Sequence, residues 1–214
     1  MVQEAHKPLR SFGRIKSRRL HNNAQRLMDE VLPKITFKEL PKDKDVWLEI
    51  GFGGGEHLAH QAKSNPNIFH VGFEPFINGT AKLLREVEEH KLDNVAVHNG
   101  DAREVIEKLP DNSVTKVFIL FPDPWPKARH HKRRIIQENL LDMLARVLKP
   151  GGVVRAATDH AGYGEWILDK FASHKQFELV LNTHEAPADH ILTKYQQKGL
   201  AGHNPIFLEF CNIK

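Results

Sequence analysis

The chain has 214 residues, 40% hydrophobic and 27% charged, which is the composition of an ordinary folded domain and not of a disordered or fibrous chain. Its mean hydropathy of −0.47 and the lack of any apolar run near ~18 residues leave no candidate for a membrane span. A single cysteine, Cys211, excludes an internal disulfide and any multi-cysteine zinc or iron–sulfur site, and the net charge is +4.

The first residues, Met1 to Pro8, lack the apolar stretch of a signal peptide, so a cytoplasmic protein is expected. Residues 1–21 read as a basic, flexible arm: Lys7, Arg10, Arg14, Lys16, Arg18 and Arg19 face a single acid, Glu4. Residues 22–214 read as one domain. Asn22 or Asn23 caps a short helix ending near Pro33. After Pro41 the pattern is strand, turn, helix, repeated. Five apolar runs are read as strands: Val46–Ile50, Ile68–Phe73, Asn94–His98, Val117–Phe121 and Gly152–Ala157. Helix-period stretches lie between them, for example Ala81–His90 and Ile135–Leu148. Strands alternating with helices predict an α/β fold with a mostly parallel sheet and helices on both faces. Two more runs, Phe177–Leu181 and Ile206–Cys211, complete seven strands, and the loop between them allows an antiparallel pair.

In such a sheet, ligands bind beyond the carboxyl ends of the strands. Each of the first five strands brings an acid to that edge: Glu49, Glu74, Asp101, Asp123 and Asp159. The cluster Gly51-Phe52-Gly53-Gly54-Gly55-Glu56 lets backbone approach a ligand, with Gly51 and Gly53 foremost. It is not a dinucleotide fingerprint, because Glu56 holds the third glycine place, and no phosphate loop follows. A ring of acids repels phosphate. The site therefore suits a ligand with hydroxyls, an amine and positive charge. Glu74 is placed to accept from both ribose hydroxyls, Asp101 from an exocyclic amine, and Glu49 to face a cation. S-adenosylmethionine has these groups and no phosphate.

The stretch Phe121-Pro122-Asp123-Pro124-Trp125-Pro126-Lys127 is fixed by three prolines. It runs into Ala128-Arg129-His130-His131-Lys132-Arg133-Arg134, whose cations would hold RNA phosphates while the loop engages a base. Trp125 either stacks on that base or packs in the protein. Fourteen histidines raise a metal reading, but His130 and His131 are adjacent and His57 and His60 have no third ligand. They are read as surface or packing residues, Cys211 as a small hydrophobe on a buried strand, and no metal is expected.

At these residues the sequence resembles the bacterial tRNA (guanine-N7)-methyltransferase family, the TrmB type. The matching pieces are Glu49–Glu56, Gly72–Pro75, Asn99–Ala102, Phe121–Lys127, Lys132–Arg134, Leu148–Gly152, Thr158-Asp159 and Thr193–Tyr195 with Lys198-Gly199, in order. The resemblance implies a Rossmann-like class I methyltransferase fold. It also implies methyl transfer from S-adenosylmethionine to N7 of a tRNA guanosine, nominally position 46. It places Glu49, Glu74, Asp101 and Asp123 at the cofactor, and Lys127, Asp159 and Thr193, Lys194, Tyr195 and Gln196 at the substrate. Arg129, His130, His131, Lys132, Arg133 and Arg134 would contact RNA. The family's last motif ends on Glu where this chain has Gln196, and an amide oxygen accepts less well than a carboxylate from guanine N1–H and N2. Asp159 is the candidate to compensate.

Guanine N7 has a free in-plane lone pair, so transfer needs no general base, only alignment and stabilisation of moving positive charge. Asp123 is the residue chosen for that catalytic role. Two alternatives share the sequence features. One is a methyltransferase of the same fold acting elsewhere in RNA, on a protein or on a small molecule. The other is a non-catalytic RNA-binding module. The partner expected is tRNA, and the chain is read as a monomer or a homodimer.

Overall fold

The computed structural model describes residues 12, 13, 15, 19–191 and 204–214. The two N-terminal helices, α1 (Asn22–Glu30) and α2 (Leu32–Ile35), break at Val31, and Pro33 lies in the first turn of α2. A proline there forfeits no intrahelical bond, so it starts a helix where the sequence reading ended one. The alternating units follow: β1 (Val46–Ile50), α3 (Glu56–Ser64), β2 (Phe69–Phe73), α4 (Ile77–His90), β3 (Val95–His98), α5 (Ala102–Ile106) and β4 (Val114–Leu120). After a 3₁₀ helix at Ala128–Arg133 come α6 (Glu138–Val147), β5 (Leu148–Thr158), α7 (Ala161–Ala172), β6 (Phe177–Thr183) and β7 (Ile206–Asn212).

These strands form one seven-stranded sheet in the order β3-β2-β1-β4-β5-β7-β6. The first five are parallel; β7 runs antiparallel to both β5 and β6. All seven expected strands are present, and the last two pair as expected. Several boundaries moved, two of them by four residues. β5 begins four residues early because Leu148 pairs with Val114 ahead of a register shift. α4 begins at Ile77, ahead of the apolar period that marked it.

The parallel strands are buried on both faces, so their sequences read as continuous apolar runs and not as alternation. On one face, Leu48, Ile50, Val71, Val117, Ile119 and Val154 pack against α5, α6 and α7. On the other, α3 and α4 cover the β1–β3 side through Leu58, Ala62, Leu83 and Val87. Beyond α3 that second face changes character. Phe118, Leu120, Ala157 and Phe207 form a small apolar cluster. Beside them stand Arg155 and Glu209, paired directly across β5 and β7.

Candidate active site

The sheet's parallelism brings five strand ends to one edge, and the glycine cluster lies at its centre. Gly51 N–H donates to Phe73 O at 2.8 Å, tying the ends of β1 and β2 together. Gly51, Gly53 and Gly55 have φ of 76°, 56° and 77°, a region that L side chains rarely adopt. A Cβ at Gly51 or Gly53 would meet nothing within 4 Å, so open space lies over both. From below, Gly79 in α4 presses on the same loop: a Cβ there would lie 2.1 Å from Gly53 O.

Glu74 follows β2 and is buried. Its Oε2 accepts from Gly53 N–H at 2.7 Å and its Oε1 from Phe76 N–H at 2.9 Å. Burial pushes its pKa up. The two N–H donors oppose that shift, and the charges of Asp123 and Glu49 add to it. Asn99, from the Asn99–Ala102 motif, bridges Glu74 O at 2.6 Å and Thr80 Oγ1 at 3.0 Å, a role its sequence position does not reveal. It thereby fixes the end of β2 against α4.

Two more of the five acids are engaged by side chains of their own chain. Glu49 sits inside β1, opposite Gly72 and Phe118, and is 3% exposed. Its Oε2 lies 2.7 Å from His57 Nδ1, and His57 Nε2 lies 3.2 Å from Gln61 Nε2. The group facing Glu49's Oε2 in this structure is thus an imidazole of its own chain. Asp101 caps α5, and both its oxygens are held by Arg103: Oδ1 by Nε at 3.0 Å and by the backbone N–H, Oδ2 by an Nη at 2.7 Å. Burial alone would raise its pKa, but the Arg103 bonds outweigh that and hold it low. An amine approaching Asp101 therefore shares this carboxylate with Arg103.

Asp123 is exposed at the edge, in a loop bounded by two left-handed residues, Phe121 (φ 51°) and Trp125 (φ 43°). Two large side chains in that region within five residues mark stored strain, which surrounding structure must hold. Phe121 N–H is fixed to Ala157 O at 2.8 Å. Pro124 O accepts from Arg134 Nε at 2.9 Å, and the Arg134 guanidinium lies 4.9 Å from both the Tyr163 and Trp166 ring centroids.

Arg134 corrects the reading of the basic run. It is 3% exposed and bonded into the loop's support, so it offers no exposed cation to RNA in this structure. The aromatic pair from α7 makes a desolvated guanidinium tolerable there. The rest of the run forms the 3₁₀ helix. Arg129 and Lys132 are exposed, as is Lys127 just before it. Arg133 lies 4.9 Å from the Trp125 ring, and His130 meets the same ring edge-on at 5.8 Å. Trp125 is therefore packed by its own chain. His131 packs on Trp166 at 5.5 Å. Partial desolvation, then Arg133, Arg129, Lys127 and Lys132, lower the His130 pKa.

Asp159 lines a cavity of about 330 Å³ beyond the end of β5, with Thr158, Gly164, Glu165, His184 and Ile206. Thr193, Lys194, Tyr195 and Gln196 lie outside the described residues. Among the described residues, no three His, Cys, Asp or Glu side chains converge as metal ligands, and no helix is long and apolar enough to cross a membrane. His57 does pack, against Phe118, but it is also bonded to Glu49, a link that sequence spacing did not reveal. Cys211 is half-buried on β7.

The sheet order and the glycine-centred edge define a Rossmann-like methyltransferase. The 16S rRNA methyltransferase KamB has a similar fold, with a TM-score of 0.59 at 17% identity over 87% of this chain and 93% of that one. An rRNA methylase from Streptococcus thermophilus gives 0.56 at 11% identity, over 88% and 95%. At those identities the likeness is one of fold. A family model described as "Putative methyltransferase" matches residues 43–208. A Caulobacter vibrioides protein is 49% identical over 97% of both chains, and one from Ruegeria pomeroyi 42% identical over 97% of both. Both are named tRNA (guanine-N(7)-)-methyltransferase, and the chain belongs to that bacterial family.

Proposed function

We propose that this protein transfers a methyl group from S-adenosylmethionine to N7 of a guanosine in tRNA, with position 46 of the variable loop as the nominal target. The observation that carries the reading is the alignment, over nearly the whole of both chains, with relatives named for that reaction. The site fits S-adenosylmethionine in three respects. Space is open over Gly51 and Gly53. Glu74 presents a buried carboxylate fixed by two backbone N–H groups, suited to the ribose hydroxyls. The acids at this edge would repel a phosphate-bearing ligand.

S-adenosylmethionine supplies an activated methyl on a cationic sulfur. The N7 lone pair forms the new C–N bond as the C–S bond breaks, and that electron pair returns to sulfur. No proton leaves N7, so no residue need act as a base. Positive charge moves from sulfur to the purine, and Asp123 is the exposed carboxylate at the edge that stabilises it. The prolines, the strained residues and Arg134 hold Asp123 in place before substrate arrives. On this reading Glu49 acts as one partner of a buried pair, Asp101 shares its carboxylate with Arg103, and Lys127 and Asp159 flank the target base. Lys127, Arg129 and Lys132 are the exposed cations for tRNA phosphates. A tRNA substrate supports a cytoplasmic location.

The test is methyl transfer from labelled S-adenosylmethionine to unmodified tRNA, followed by nucleoside analysis. The expected product is 7-methylguanosine, lost when the variable-loop guanosine is replaced. Label in another nucleoside would overturn the N7 assignment, and label retained after that replacement would overturn the position.

A further inference from the structure

The charged part of the second sheet face is not used by the reaction as described. Its centre is Asp189, in the segment after β6. Asp189 Oδ1 accepts from an Arg155 Nη at 2.6 Å, and its Oδ2 lies 3.5 Å from Lys116 Nζ. Arg155 also donates from Nε to Glu209 at 2.6 Å. The Arg155 side chain is 7% exposed and that of Asp189 39%, so a buried guanidinium meets a carboxylate that is still partly open to water, joined by a short charge-assisted bond. Two cations from β4 and β5 thus hold one carboxylate down on the sheet.

Two branches lead from this anchor to the active site. The first runs through the backbone. Asp189 O accepts from Gln61 Nε2 at 2.7 Å, and the same nitrogen lies 3.2 Å from His57 Nε2. Gln61 Oε1 is accounted for by Asn65 Nδ2 at 3.3 Å. A carbonyl oxygen only accepts, so the Gln61 amide must turn its NH₂ toward Asp189. Its second hydrogen then points at His57 Nε2, which must accept. The imidazole proton is left on Nδ1, donating to Glu49. A carboxylate only accepts, so Glu49 requires the same tautomer, and the Asp189 carbonyl holds Gln61 in the orientation that supports it from the other side of the ring. The second branch is the next residue. The His190 ring lies 4.9 Å from Phe207, 6.0 Å from His57 and 6.2 Å from Phe121. Phe121 is the strained residue that opens the Asp123 loop.

We propose that Asp189 is a positioning residue for catalysis: held by Arg155 and Lys116, it sets the His57–Glu49 pair through Gln61 and seats the Asp123 loop through His190 and Phe121. The inference rests on the methyltransferase reading for its catalytic meaning. It adds a link between two sides of the site that touch different strands. Removing the carboxylate frees the 187–191 segment, so Gln61 loses its acceptor and Phe121 loses one wall.

The experiment compares Asp189→Ala with the unaltered enzyme, well below both denaturation midpoints, with both substrates saturating. kcat is expected to fall about 10- to 100-fold, the scale of a small misplacement of aligned groups. S-adenosylmethionine affinity, read by calorimetry, is expected to fall several-fold. Hydrogen exchange is expected to rise in peptides spanning residues 118–125. In the double variant with Gln61→Met, kcat is expected to fall less than the product of the single effects, because the two residues share a branch. A purely structural role would lower the midpoint and leave kcat, affinity and local exchange unchanged, and that result would overturn the proposal. If Asp189→Ala does not fold, Gln61→Met and His190→Leu break the branches one at a time, and unchanged kcat in both overturns it equally. An unaltered enzyme that made no 7-methylguanosine would sink the assigned reaction instead. The affinity and exchange readouts would then decide this inference alone.

Discussion

Arg134→Met separates the two roles a cation in the basic run can have. The substitution keeps an unbranched apolar stem and removes the guanidinium. Lost with it are the bond to Pro124 O and the contacts with Tyr163 and Trp166. A hydrogen bond from a charged group contributes about 1.5–3 kcal/mol. Each cation–π contact adds about 0.5–2 kcal/mol, the higher end applying to desolvated sites such as this one. Methionine recovers some packing, so a loss of about 2–4 kcal/mol is expected. At roughly 2–4 °C per kcal/mol for a chain of this size, the thermal midpoint should drop by roughly 5–15 °C. Methyl transfer should fall as well, because the loop carrying Asp123 loses its support. The dependence of tRNA affinity on salt should not change, since a buried residue neutralises no phosphate. A phosphate contact would do the opposite, lowering the slope of log K against log[salt] by about 0.7–0.9 and leaving the midpoint alone. Thermal denaturation and a salt titration of tRNA binding measure both quantities. An unchanged midpoint with a shallower slope would refute the assignment of Arg134 to the loop.

Arg129→Ala and Lys132→Ala should show that opposite pattern, each reducing the salt slope by about 0.7–0.9 with no change in midpoint. Asp123→Ala should abolish turnover while circular dichroism and S-adenosylmethionine-independent stability stay near normal; normal turnover would end its catalytic assignment. Glu74→Gln should weaken S-adenosylmethionine binding by roughly 10- to 100-fold, the equivalent of one charged hydrogen bond. Because burial and neighbouring acids raise the Glu74 pKa above its ordinary 4.5, its carboxylate form is lost early on acidification. Affinity in the unaltered enzyme should therefore decline as pH falls toward that raised value, and calorimetry across pH should find the decline absent in Glu74→Gln. Gly79→Ala forces Cβ against Gly53 O and must displace the glycine loop, whereas Gly53→Ala has room but a strained φ of 56°. The first should destabilise by more than the ~1–2 kcal/mol of left-handed strain expected in the second, and equal denaturation midpoints would contradict the packing argument.

The architecture was legible because parallel strands covered on both faces carry unbroken apolar runs, and a Gly, Pro or acid follows each of the five within two residues. The edge that gathers those acids follows from parallelism alone. What each acid does there was less legible. Glu49 was placed at the edge, but it is the penultimate residue of β1 and its side chain lies under α3. Spacing along the chain does not say that a helix starting at Glu56 folds back over the strand before it. Arg134 misled for a related reason. Within the run it is one of four Lys and Arg side chains, and only Tyr163 and Trp166, far along the chain, make its burial tolerable. Asp189 gave no local signal, since its partners come from β4, β5 and α3. The rigidity expected of the proline loop rests on its three prolines. The left-handed residues that strain it, Phe121 and Trp125, are aromatic and carry no sequence mark of that conformation.

The bond between Arg134 and Pro124 has a consequence for how recognition is timed. A loop that becomes ordered only on contact with RNA spends part of the contact energy on its own ordering, and binding waits on the rearrangement. Here the loop is held in the fold itself by a buried residue. Encounter with tRNA then meets a surface already in its final shape, and association should follow a single concentration-dependent phase. Discrimination among RNAs falls to whether a guanosine can be presented to that fixed surface, so the flexibility that matters belongs to the nucleic acid.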